Sequence, residues 1–345
     1  MAFFGVTVET IGSVIPIEGA NTVELVLLEG KTFEVVVPKG VFTVGERCLY
    51  FPLDSVLPEK LATQMGIKSK LGRTGRVKTV KVLGHLSQGI VEKTSLISGD
   101  YLDSPELITY FLGVTKYEPD AENADGASRL PYDLSKYDIE GADRNKELVT
   151  YLLDKDVMVT EKLEGSNVSV AIGLDGNVHV NTRRRSVLED SSDGKMYWEG
   201  AKSSGMFAFA KYLFSRLLGR QLIVVYGELL GPKVQGNIYG MKDFTAKIFD
   251  VLVGDKWLSP RSLLEEIGDY TVLPISSVPV LYIGKFSDWL EGRTVKDASN
   301  GWSVLNEGRR REGIVIRPLV EEEIPRFGRL ILKQRSPEYL LHSKV

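Results

Sequence analysis

The sequence predicts an α+β protein in which a small β-barrel precedes a larger domain of mixed strands and helices. Three observations carry that expectation. The first third is a succession of short β-rich runs separated by glycines, a polar stretch without sustained apolar periodicity follows, and the remainder alternates apolar strands with a clear amphipathic helix. A chain of 345 residues is also too long for one small core and suits two domains. The expected boundaries are a barrel over 1–118, a connection over 119–145 and a second domain over 146–345.

In chain order, "TVELVLLEGKTFEVVVPKG" reads as two strands around a Glu29–Gly30 turn. "FTVGERCLYFPL" and "GRVKTVKVLG" add further strands, with Gly45, Gly72 and Gly84 as punctuation. Short strands in series with little helix suggest an OB-like barrel. The "GKT" at Gly30–Thr32 resembles the tail of a phosphate loop. Leu25 stands where the first glycine of that motif belongs, however, and the segment lies in a hairpin. The Asp-, Pro-, Gly- and Ser-rich "KYEPDAENADGASRLPYDLSKYDIEGADRNKE" reads as the interdomain connection. Beyond it, "SSGMFAFAKYLFSRLLG" is a helix with Phe207, Ala210, Phe214 and Leu217 as its core stripe, Ser203 or Ser204 as cap and Gly219 as stop.

Composition narrows the class. Hydrophobic residues make up 43% and charged residues 26%, as in a globular protein, and no long uncharged apolar run could span a membrane. The N-terminus lacks a basic region and carries Glu9 early, which argues against a secretory signal. One cysteine, Cys48, allows no internal disulfide; it reads as a core residue of a cytoplasmic protein. The net charge of −3 gives no overall attraction to nucleic acid, so only local basic surfaces could hold one. Candidates are Lys68, Lys70, Arg73, Arg76, Lys78 and Lys81, then Arg183–Arg185 and Arg309–Arg311. His85, His179 and His342 read as structural or surface residues.

Five segments of the second half share a chemical logic. "TEKLEGSN" places Lys162 behind a β-rich run; a lysine amine attacks phosphorus only when neutral, a state that nearby cations and a bound metal favour. Gly165 has no Cβ and lets backbone come close to a ligand. In "VHVNTRRRS" the period-two set Val178, Val180 and Thr182 ends in arginines suited to clamping a phosphate. "LIVVYGELLG" is a strand buried on both faces, and Glu228 at its end needs a partner, a ribose hydroxyl or an internal arginine. "AKIFDVLV" carries Phe249, either plain core or a surface on which a base stacks. Finally, "REGIVIRPL" and "LILKQRS" put Glu312, Arg317, Lys333 and Arg335 into apolar strands, with Lys333 and Arg335 on one face. Charges there need partners, which a nucleotide and its metal would supply. The run Glu321–Glu323 between these strands reads as a solvated turn.

The ordered set K-L-E-G, T-R-R, Y-G-E, F-D, E-G-I-V-I-R and L-K-Q-R resembles the signature of covalent nucleotidyltransferases, the superfamily of ATP-dependent ligases and capping enzymes. The N-terminal "ANTVELV", "VGERCLYFPLDSVLP" and "GRVKTVKVLGHLSQGIV" are similar to the OB-domain of the Deinococcus/Naegleria-type RNA ligases. The resemblance implies a nucleotidyltransferase domain of antiparallel sheets with flanking helices, and an ATP-dependent RNA ligase that seals 3′-OH/5′-phosphate breaks through lysyl-AMP. It implies that Lys162 takes up AMP, that Arg183 (or Arg184) is the strand-end arginine, that Glu228 holds the ribose and that Phe249 and Val315 sandwich the adenine. Glu161 would lie near the adenine, Glu312 and Glu164 would face Mg2+ or Mn2+, and Lys333 with Arg335 would form the last cationic pair. Only "SPEYLLHSKV" follows Arg335, which favours an RNA ligase over a DNA ligase or capping enzyme; a non-catalytic OB-fold RNA-binding protein is the remaining alternative. The expected partners are RNA and ATP, with no membrane, and the expected state is a monomer.

Overall fold

The computed structural model of the chain describes residues 4–71, 74–117, 128–325 and 327–342. Gly72, Arg73 and residues 119–127 of the expected connection lie outside the described residues. Contacts divide the chain into two compact units, one of residues 1–120, 142–149 and 340–345, the other of 121–141 and 150–339. Among the described residues no helix is long and apolar enough to cross a membrane.

The first unit contains β1 (Thr7–Pro16), β2 (Val23–Leu28), β3 (Glu34–Pro38), β4 (Arg47–Phe51), β5 (Ser55–Val56), β6 (Val80–Val82), β7 (His85–Ser87), β8 (Ile90–Lys93) and β9 (Thr115–Lys116), with helices α1 (Glu59–Gln64) and α2 (Pro105–Phe111). Seven of the strands form one sheet in the order β6-β7-β3-β2-β1-β4-β8. A bulge between Ile11 and Ser13 divides β1, so that its first half pairs with β4 and its second half with β2. One strand thereby turns the corner and curls the sheet, the usual work of a bulge. Alternation sends Val26, Leu28, Val35 and Val37 inward onto Ile11, Phe33, Cys48 and Tyr50. Burial pushes the Cys48 thiol up to about 12, so it is an inert core group. The "GKT" tripeptide lies in the turn after β2, where Gly30 has φ +70°.

The basic segment of this unit divides in two. Arg76 donates from Nε and one terminal nitrogen to Asp54 Oδ1 at 2.8 and 2.6 Å and lies 4.1 Å over the Tyr117 ring, so it serves the fold. Lys68 pairs with Glu59, and Lys81 reaches the Leu341 carbonyl at 3.2 Å. Lys70 and Lys78 are exposed.

The second unit begins with β10 (Ser128–Arg129) and β11 (Glu140–Gly141), which fall within the stretch read as a connection. After α3 (Lys146–Leu152) come β12 (Asp156–Lys162), β13 (Ser166–Ile172), β14 (Val178–Thr182), β15 (Arg185–Val187), α4 (Gly194–Ser203), α5 (Met206–Arg216), β16 (Ile223–Leu230), β17 (Thr245–Val253), β18 (Lys256–Trp257) and α6 (Pro260–Asp269). The last part holds β19 (Val280–Lys285), α7 (Phe286–Leu290), α8 (Val295–Ala298), β20 (Gly313–Pro318), β21 (Glu323–Ile324), β22 (Gly328–Arg329), β23 (Leu332–Arg335) and the start of α9 (Pro337–His342), whose residues from Leu340 on fall in the first unit. Two sheets dominate, β10-β15-β14-β13-β16-β17-β18 and β11-β23-β20-β12-β19. The main core lies between the first sheet and α4 and α5.

The helix expected after Ser204 is α5, with two differences. Its N-cap is Gly205 at φ +76°, not a serine, because Ser203 and Ser204 close the preceding helix α4. Its buried stripe is Met206, Phe209, Ala210 and Leu213, while Phe207, Phe214 and Leu217 flank the same core half-buried. Gly219, at φ +65°, follows the helix end as expected.

Candidate active site

A cavity of about 460 Å³ lies within the second unit and is lined from both of its large sheets. One wall is built by register. Antiparallel pairing sets Lys162 opposite Gly313 and Gly313 opposite Arg335; the next rung on that face is Thr160–Val315–Lys333, and Met158 opposite Arg317 follows. Residues paired across antiparallel strands share a face, so Lys162 and Arg335 flank a position with no side chain. Gly313 is forced: a Cβ there would lie 2.0 Å from the Gln334 carbonyl oxygen. The rung thus carries an amine and a guanidinium with no side chain between them, a pair of the kind that binds an oxyanion.

The opposite wall comes from β13, β14, β16 and β17, with Asn167, Thr182, Arg183, Glu228 and Phe249 lining it. Gly165 turns the chain from β12 into β13. A Cβ on it would come 2.4 Å from the Leu229 carbonyl oxygen and 2.8 Å from Glu228 Cγ, so this glycine is required by the close approach of β16. The end of the Lys162 strand and the Glu228 strand are therefore held together by a contact that tolerates no side chain.

Lys162 lines the cavity and places Nζ 2.6 Å from Glu312 Oε2, and Arg335 Nε lies 3.7 Å from Glu312 Oε1; Glu312 and Arg335 are not among the residues that line it. Arg183 donates from Nε to the Tyr137 carbonyl at 3.1 Å and pairs with Asp138 Oδ2 at 2.9 Å. Lys333 Nζ lies 3.7 Å from the other oxygen of the same Asp138. Arg184 also lines the cavity, whereas Arg185 opens β15 and pairs with Asp193. Phe249 on β17 and Val315 on β20 face the cavity from different sheets.

Burial pushes the Glu228 carboxyl up to about 8, although Lys162 opposes the rise. The folded protein binds this proton more tightly than the unfolded chain does. Its contribution to stability is therefore full below the ordinary carboxylate range and is lost as pH rises toward about 8. A Glu228→Gln variant, neutral throughout, is expected to show a flatter fall of melting temperature over that range. Equal slopes in wild type and variant would remove Glu228 as the source.

Two predicted residues are held by neighbouring backbone and hydroxyl groups. The Glu164 amide donates to the Tyr239 hydroxyl at 2.7 Å, and its Oε1 accepts from the Gly236 amide at 3.3 Å. Glu161 borders the cavity, is 1% exposed and accepts from the Val304 amide at 2.8 Å; burial raises its pKa. Glu161 Oε1 and Glu164 Oε2 are buried with no hydrogen-bond partner among the described residues. Among those residues no three His, Cys, Asp or Glu side chains cluster as a metal cage. Two carboxylates, Glu312 and Glu164, with one buried oxygen unpartnered, instead suit a divalent ion that keeps most of its water and takes its other ligands from phosphate.

Arg317 lines the cavity, and its charge is met by protein groups: Asp250 at 3.1 Å, Glu321 at 2.5 Å and the Phe249 and Leu258 carbonyls at 3.1 and 3.0 Å. Asp250, fully buried, also accepts from Arg329 at 2.8 Å and from the Tyr137 hydroxyl at 2.7 Å. The acidic run after β20 is not a solvated turn, since Glu321 joins this network and Glu322 pairs with Lys155 at 2.8 Å. Tyr137, Asp138 and Ile139, which line the cavity from the polar stretch, carry no periodic signal and were not expected there.

Comparison with known proteins agrees with this architecture. Residues 155–335 match the RNA ligase family model, and residues 5–94 match an OB-fold domain model. Among solved structures, a variant of Naegleria gruberi RNA ligase with AMP and manganese is 25% identical, with a TM-score of 0.78 over 98% of each chain. The same enzyme with pyrophosphate gives 25% identity and 0.75 over 97% of each chain. A variant of it with ATP and manganese gives 26% and 0.74, over 98% of this chain and 97% of that one. No curated protein matches the sequence. The N-terminal region is an OB-fold domain, and, with more than half of its residues matched, the chain belongs to the RNA ligase family.

Proposed function

We propose that the protein is an ATP-dependent RNA ligase that seals 3′-OH/5′-phosphate breaks. The observation that carries this reading is the strand register that brings Lys162, Val315 and Lys333 to one wall of the cavity, across from Arg183, Glu228 and Phe249, with Arg335 on the same rung as Lys162. Lys162 leaves its contact with Glu312, loses a proton and attacks the α-phosphorus of ATP. The new P–N bond forms as the bond to the bridging oxygen breaks, and pyrophosphate departs. The AMP then passes to the 5′-phosphate at the break, and attack by the 3′-OH expels it. Charge neutralisation and positioning do most of the work in such transfers.

Arg183, Lys333 and Arg335 neutralise phosphate oxygens in this scheme, Glu228 accepts from the ribose hydroxyls, and Phe249 and Val315 hold the adenine between two sheets. The unpartnered Oε1 of Glu161 accepts from the adenine amino group, which GTP lacks at that position. Glu312 and Glu164 would hold hydrated Mg2+ or Mn2+, which when bound supplies positive charge to the phosphates. The exposed Lys70 and Lys78 of the OB-fold domain would grip the RNA backbone, so that binding weakens with salt. We assign 1–118 to RNA binding, 119–145 to the connection and 146–345 to catalysis, in a monomer acting in the cytoplasm.

A panel of nicked duplexes that varies only the sugar on each side of the break, offered with ATP or GTP, tests the reading. Sealing of RNA 3′-ends with ATP, and little or none with GTP, is the expected result. Sealing confined to DNA 3′-ends, or supported only by GTP, would overturn it.

A further inference from the structure

The segment before β20 contains a surface feature that the scheme above does not use. Residues 301–311 form a tight hairpin. Arg311 N donates to the Gly301 carbonyl at 3.0 Å, Ser303 N donates to the Arg309 carbonyl at 2.8 Å, and Trp302 bridges Arg310 between them. The base is pinned by the Arg311 guanidinium, which donates to the Ser299, Ala298 and Asn300 carbonyls. On this rigid base Trp302 is 54% exposed, although a large aromatic ring ordinarily seeks cover. The Arg310 guanidinium lies 3.7 Å over its ring, and Arg310 is itself fixed by Glu338 at 3.1 Å.

The hairpin also touches the candidate site. Val304, 58% exposed, gives its amide to Glu161 at the border of the cavity, two residues from the tryptophan. An exposed ring backed by a fixed cation, beside a further exposed Arg309, has the components of a stacking site for a nucleobase. Arginine on one face polarises and orients the indole, and the other face is left to a planar ligand.

We propose that Trp302, backed by Arg310, is a stacking platform for an unpaired or terminal base of the RNA, next to the break. The inference rests on the RNA ligase reading, but direct binding tests it separately. The probe is a fluorescently labelled nicked RNA duplex, titrated by anisotropy with wild type, Trp302→Ala and Trp302→Phe. AMP loading of each protein from α-labelled ATP is measured in parallel. Trp302→Ala is expected to bind about tenfold more weakly, Trp302→Phe within about twofold of wild type, and AMP loading to stay unchanged. In the same assay, an abasic site moved stepwise through the nucleotides flanking the break should weaken wild-type binding at one position and leave Trp302→Ala unaffected there.

Equal affinity of wild type and Trp302→Ala would overturn the platform. So would a parallel loss of AMP loading in Trp302→Ala, which would make the ring a packing element of the hairpin. Absence of AMP loading in the wild type would defeat the ligase reading alone, and the binding comparison would still decide the platform.

Discussion

Lys162→Ala is expected to abolish covalent labelling from α-labelled ATP, with sealing below about one-thousandth of wild type, because a sole nucleophile has no substitute. The variant also removes the cation 2.6 Å from Glu312 and leaves that buried carboxylate with Arg335 at 3.7 Å. A moderate stability loss of about 1–3 kcal/mol follows from the weakened pairing. Lys162→Arg separates the two effects. A guanidinium can keep the Glu312 contact but is not a nucleophile at working pH, so Lys162→Arg should retain wild-type stability and still fail to trap AMP. Gel detection of labelled protein, with thermal unfolding of both variants, checks both halves. A labelled band in Lys162→Ala would show that another residue carries the adenylate.

The second large effect concerns stability. Asp250→Ala strips the common carboxylate from Arg317 and Arg329, whose side chains are 4% and 13% exposed, and from the Tyr137 hydroxyl. Removing one partner of a buried ion pair costs about 3–5 kcal/mol, because the remaining charge is stranded away from water. Here Glu321 still contacts both arginines, which keeps the loss within that range. For a unit of this size the melting temperature should fall by about 6–20 °C. Arg317 also donates to the carbonyl of Phe249, so ATP binding should weaken in any variant that folds. A stability within about 1 kcal/mol of wild type in urea unfolding would show that the network is not held by Asp250.

The strands of the second unit were legible because their apolar runs are long and end in charged or glycine residues; β14 runs over Val178–Thr182 as read, and β16 is buried on both faces. Charge inside such a run announces a special position, which is how Glu228, Lys333 and Arg335 were singled out. What the charge meets is not legible. Arg317 finds Asp250 and Glu321, and the first pairing spans 67 positions that carry no mark of the contact. Helix α4 was missed for a related reason. Its "GKMYWEGAKS" contains two glycines, poor helix formers, and the helix is specified by packing instead: a Cβ on Gly200 would lie 2.3 Å from Leu229 Cδ1. The cap of α5 was misread because serines before an apolar run suggest an N-cap, while here they finish another helix. Tyr137 and Asp138 come from a stretch whose polar composition hides the fact that it borders the cavity.

Asp138 touches both Arg183 and Lys333, so one internal anion already pairs with the two cations that the proposed scheme offers to a polyphosphate. Any ligand anion that engages them enters by exchange, and its net affinity is the difference between two pairings rather than the full strength of one. Asp138 thereby keeps the pocket from carrying two adjacent uncompensated positive charges, and singly charged bystander anions such as chloride gain little by entering it.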